Sequence, residues 1–152
     1  MSTNKTAPDP IVASHIAKFD ELDFEGFSRQ KWEVFKKSHA DDIQVQWPDG
    51  HSTRGLPKHI DDMKAMFTYA PDTRISEHPV KFGSGDWTCV IGTYEGTFTK
   101  PMQMNGKTIQ PTGKPFKIPM CTIGHWTNGV MDKEYLFWDN LAFMQQVGIA
   151  GS

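Results

Sequence analysis

The chain is poor in cysteine: its 152 residues hold two, Cys89 and Cys121. Two thiols make no disulfide scaffold, and their spacing fits no zinc or redox motif. No apolar run reaches the ~20 residues that a membrane-spanning helix needs. The opening stretch, MSTNKTAPDP, is polar and lacks the apolar centre of a signal peptide. No membrane association and a cytoplasmic location are therefore expected. Basic excess is missing too: the formal net charge is −2, which leaves no electrostatic footprint for nucleic acid. The six histidines form no H-x-H or H-x3-H pair, so no metal is expected. The glycines of GTYEGTF lie inside a strand-like run rather than between a strand and a helix, which argues against a phosphate loop. No G-x-S-x-G elbow or cysteine–histidine signature marks a covalent nucleophile. No cofactor is expected.

What the chain has in quantity is aromatic residues, with five Trp and ten Phe. Residues 1–10 read as a flexible tail and 11–152 as one domain with room for a core. A helical pattern runs from Ile11 to about His39, with a bend near Gly26. DDIQVQWPDG alternates so that Ile43, Val45 and Trp47 share one face of a strand. GLPKHIDDMKAMFTYAP reads as a helix with an apolar stripe of Ile60, Met63, Met66 and Phe67. The rest reads as strands: Arg74–Phe82, then WTCVIGTYEGTFT with Gly92 and Gly96 as expected bulges, and finally hairpins turning at Asn105-Gly106 and Asn128-Gly129. Helices first and antiparallel strands afterwards predict an α+β domain with helices on one face of a curved sheet.

The order and spacing of Gly85-Asp86, GTYEGTF, PTGKPFKI, the strand through His125 and the ending WDNLAFMQQVGI resemble the SnoaL-like polyketide cyclases, also called ester cyclases, of the nuclear-transport-factor-2-like superfamily. The likeness covers nearly the whole chain. It implies a cone-shaped barrel around one deep apolar pocket, usually dimeric and cofactor-free. It also implies an acid/base aspartate at the end of the last strand, matched here by Asp139, and a histidine one strand earlier, matched by His125. The Met-rich KPMQMNG departs from the pattern at what would be the pocket mouth.

Alternation along the last strand puts Tyr135, Phe137 and Asp139 on one face and Leu136 and Trp138 on the other. If the first face lines the pocket, Asp139 ends an aromatic wall and is placed to take and give a proton; the alternative is an N-cap for the segment after Asn140. Cys121, Ile123 and His125 share a face of the preceding strand, with His125 either orienting a substrate or held as a structural histidine. Trp47 and His59 complete the expected substrate-binding set. The function expected is cofactor-independent proton transfer on a hydrophobic, carbonyl-containing molecule: an aldol-type cyclase, isomerase, dehydratase or retro-aldol lyase. A non-catalytic binding domain on the same scaffold is the alternative. Leu136, Trp138 and Trp126 would then look outward and form a homodimer interface.

Overall fold

The computed structural model describes residues 9–150. Helix α1 (Pro10–Glu21) starts at Asp9, whose side chain accepts the Ile11 N–H, with Pro10 in the first turn where no N–H is missed. It runs into a single stretch of π-helix, Leu22–Phe27, and then a 3-10 helix, Trp32–Lys37. The bend expected at Gly26 is therefore a change of helical pitch. Gly26 sits where an added Cβ would press on Val34 and Phe35 at 3.3 Å.

The remaining elements are β1 (His39–Gln46), β2 (Ser52–Arg54), α2 (Leu56–Tyr69), β3 (Arg74–Ile75), β4 (Val80–Ser84), β5 (Trp87–Thr97), β6 (Met102–Met104), β7 (Lys107–Ile109), β8 (Pro115–Thr127), β9 (Val130–Phe137) and α3 (Asn140–Gln146). The main sheet is ordered β2-β1-β9-β8-β5-β3, with β4 also paired to β5. All pairs are antiparallel except β1 with β9. The sheet is curved but not closed, so the expected barrel is an open cone with helices packed into it. Both Asn-Gly turns take positive φ at both residues, 51° and 74° at Asn105-Gly106 and 52° and 84° at Asn128-Gly129, the geometry that matches strand twist in a tight hairpin.

Two expectations about strands are corrected. The single strand over Arg74–Phe82 is two short ones, separated by a segment that carries His78. Gly92 and Gly96 are not bulges, because the β5–β8 register runs unbroken past both. They are small because Ile75 and the Phe116 ring lie 2.9 Å and 2.8 Å from where a Cβ would be.

The core lies between the concave face of the sheet and the helices. Even-numbered residues of β8 point into it: Phe116, Ile118, Met120, Thr122 and Trp126 are all buried. On β9 the register slips by one residue, since Met131 pairs with Trp126 but Lys133 with His125. Asp132 is the extra residue of this bulge. The slip changes which parity faces inward, so Met131 is buried on one side of it and Glu134 and Leu136 on the other.

Candidate functional site

The concave face ends in a recess whose apolar walls include Phe19, Phe27, Phe35, Met120 and Leu136. Four ionisable side chains reach it: Asp23, His39, His59 and Glu134. Its interior holds about 30 Å³. That volume suits a water or two.

Each polar residue arrives from a different element. His39 opens β1, His59 lies in the first turns of α2, and Glu134 is the inward residue after the β9 bulge. His39 Nε2 is 2.9 Å from Glu134 Oε2, and His59 Nε2 is 3.4 Å from Glu134 Oε1. His39 Nδ1 is held 3.1 Å from the Phe35 carbonyl and 3.0 Å from Ser38 Oγ. Burial pushes the Glu134 carboxyl up, but the two facing imidazoles outweigh it and hold the group well below the usual carboxylate range. His59 Nδ1 is buried and finds no partner among the described residues.

Asp23 comes from the π-helical stretch. π-helices are rare and frequent at functional sites, and this one turns Leu22, Asp23 and Phe27 together into the recess. Asp23 Oδ2 accepts from His78 Nε2 at 2.7 Å, His78 Nδ1 donates to Asp20 at 2.7 Å, and Lys81 donates to Asp20 at 2.9 Å. The His78 ring packs 4.4 Å from that of Phe24. Burial pushes the Asp23 carboxyl up against the pull of His78, and the charge of Glu134 pushes the same way as burial. His78 is raised: burial lowers it, but Asp23 and Asp20 on its two nitrogens outweigh that.

The residues singled out from the sequence fall into two groups. His59 lines the recess. Trp47 is buried one layer behind, its ring 5.8 Å from that of His59 and its N–H on Thr53. The others stand outside. Cys121, Ile123, His125, Tyr135 and Phe137 lie on the convex face, where Cys121 pairs with Phe137 and Ile123 with Tyr135. His125 Nδ1 is bonded to Asp132 at 2.6 Å, with the Trp87 ring at 4.7 Å. Asp139 is exposed and accepts the Ala142 N–H at 2.9 Å as the N-cap of α3. The expected inward and outward faces are thus exchanged: Trp126 is buried against His15 with ring centroids 4.3 Å apart, and Trp138 packs on Trp47 and Tyr94.

Asp23, His39, His78 and Glu134 were not found from the sequence. A signal existed for two of them. Glu134 is a charge in an otherwise apolar inward strand, and Asp23 lies between Leu22 and Phe24 on a helix whose neighbours are core. The expectation that no ligand cluster exists rested on local spacing, whereas His39 and Glu134 are 95 positions apart and with His59 bring three donor atoms within 4.8 Å of one another.

The described residues form an open, helix-filled cone with an interior recess. The sequence profile of the SnoaL-like polyketide cyclases matches residues 21–147. The chain belongs to the SnoaL-like polyketide cyclase family. Solved structures with the same fold include a candidate SnoaL-like polyketide cyclase from Jannaschia sp. CCS1, 19% identical, with a TM-score of 0.82 over 94% of this chain and 97% of that one. IdmH, a candidate polyketide cyclase from Streptomyces antibioticus, is 18% identical with a TM-score of 0.75 over 88% and 98% of the two chains. AclR, a candidate hydroxylase from Streptomyces galilaeus, is 15% identical with a TM-score of 0.76 over 93% and 85%. No curated protein matches significantly. Among the described residues no helix is long and apolar enough to cross a membrane.

Proposed function

We propose that the protein is an acid/base enzyme that removes a proton beside a carbonyl group of a small hydrophobic molecule. The observation that supports it is a pair of buried carboxylates on one recess, Asp23 and Glu134, whose environments push them in opposite directions. Such a pair divides the labour of proton transfer. Asp23, made more basic by its burial, takes the proton from the carbon and returns it. Glu134 stays ionised between His39 and His59. The carbonyl oxygen becomes an enolate next to His59, whose free Nδ1 is the donor position for it. The enolate then serves ring closure by aldol attack, isomerisation or dehydration.

A direct test needs no knowledge of the natural substrate. Exchange of α-protons for deuterium in a panel of small 1,3-dicarbonyl compounds, followed by NMR, should be accelerated by the protein. Asp23→Asn should cut that rate by roughly a hundredfold to ten-thousandfold while ligand-induced shifts persist. Binding without any exchange in the unaltered protein would instead establish a binding domain.

The homodimer remains part of the proposal, on the convex face but with other residues than expected. Trp87 and Phe137 are exposed there, 43% and 44%, beside Ile123 and Tyr135 in register, and an antiparallel sheet facing water should be polar on that side. Ile123→Glu should give a folded monomer in ultracentrifugation; an unaltered protein that already sediments at 17 kDa would remove the dimer.

A further inference from the structure

We propose that His39, His59 and Glu134 bind a divalent transition metal, with zinc the ion that their donors fit best. The site is independent of the proton-transfer reading, because it is argued from donors rather than from the reaction. It would deepen that reading by giving the recess a Lewis acid for the carbonyl oxygen.

Geometry comes first. The three donor atoms lie within 4.8 Å of one another. His39 Nε2 is 2.9 Å from one Glu134 oxygen and His59 Nε2 3.4 Å from the other, near the ~3.3 Å that a tetrahedral zinc with ~2.0–2.1 Å bonds sets between neighbouring ligands. Small rotations of the imidazoles would bring all three donors onto one ion, which would replace the proton now shared between His39 and Glu134. Two histidines and one glutamate also form a known catalytic zinc set, which leaves a fourth position open. All three residues line the recess, so that open position has space beside it for a water or a substrate oxygen.

Orientation and charge point the same way. A carbonyl oxygen can only accept, so the Phe35 carbonyl beside His39 Nδ1 holds a proton on that nitrogen, and Nε2 would become a metal ligand once an ion displaced the proton it gives Glu134. Ligating histidines are fixed by such outer partners. Glu134 is 4% exposed and brings a carboxylate oxygen beside both imidazoles. The donors come from β1, α2 and β9, which is why no short motif announces them.

The test is a titration of the full-length, chelator-treated and desalted protein with zinc chloride at pH 7, without substrate, by isothermal calorimetry. One ion per chain with micromolar or tighter affinity is expected. His59→Gln and Glu134→Gln should each weaken it at least a hundredfold. His125→Gln, which alters a surface histidine–carboxylate pair, should leave it unchanged. X-ray absorption on the zinc-loaded unaltered protein should show two imidazoles in the coordination shell, a readout that stands even if a variant fails to fold. No saturable binding, affinity retained in His59→Gln, loss of the site in His125→Gln, or sulfur in the shell would each overturn the proposal. Asp23→Asn supplies no donor here and should bind zinc as before, so failure of the metal site and failure of the proton-transfer reading are separable.

Discussion

The two faces of β9 carry the same chemistry in different settings. Inside, His39 bonds Glu134, with the side chains 0% and 4% exposed. Outside, His125 bonds Asp132, with the side chains 26% and 38% exposed. Both carboxylates are lowered, against the push of burial, by the facing imidazole. The outer pair is screened by water, and such pairs contribute about 0–1 kcal/mol. The inner pair cannot be relieved by solvent, so removing one partner strands the other. A histidine–carboxylate pair is therefore no sign of a site by itself; what distinguishes the inner one is a second imidazole, a recess and a second buried carboxylate.

The comparison can be broken most forcefully from inside. Glu134→Gln should destabilise the fold by about 3–5 kcal/mol, the usual cost of stranding one member of a buried pair, read as a fall in the urea midpoint. A loss below about 1 kcal/mol would make the inner pair equivalent to a surface one. On the outside, His125→Ala should cost no more than about 1 kcal/mol and should leave α-proton exchange unchanged.

The Asp20–His78–Asp23 chain sharpens the contrast through pH. His78 titrates higher in the folded than in the unfolded state. Its stabilising contribution is complete below about pH 6.5, the unfolded value, and is lost as pH rises through the folded value above that. Stability should therefore fall from pH 6 into the alkaline range, and His78→Gln should flatten that part of the profile. An unchanged slope would show that the ring is not held as an imidazolium between the two aspartates.

The smallest effect is expected at Asp139. Asp139→Ala removes the α3 cap and should cost about 1 kcal/mol, whereas Asp139→Asn keeps a capping oxygen and should be nearly silent in both stability and exchange. A collapse of exchange in the Asn variant would return the acid/base role to the position that the family resemblance suggested.

These residues also mark where sequence reading works. The parity of Ile43, Val45 and Trp47 was legible because their strand has polar partners at Gln44 and Gln46. The Asn-Gly turns were legible because few other residue pairs accept positive φ twice. The parity of β8 and β9 was not, since both faces carry apolar residues: Ile123, Tyr135 and Phe137 outside, Met120, Trp126 and Leu136 inside. The bulge at Asp132 adds a shift that alternation from the hairpin cannot anticipate. Asp23 was hidden by the π-helix, which turns it inward at a pitch that a 3.6-residue pattern does not describe. His39 meets Glu134 through the parallel β1–β9 pairing and His59 arrives on α2, long-range placements that no local spacing encodes.

The central claim is that one recess holds two carboxylates driven apart by their surroundings. A 13C NMR titration of the side-chain carboxyls, with Asp23→Asn and Glu134→Gln used for assignment, tests it without a substrate. The account predicts an Asp23 signal that titrates above the ordinary aspartate value of about 3.9, and a Glu134 signal still ionised well below the ordinary glutamate value of about 4.3. Both signals titrating together near those ordinary values would contradict it.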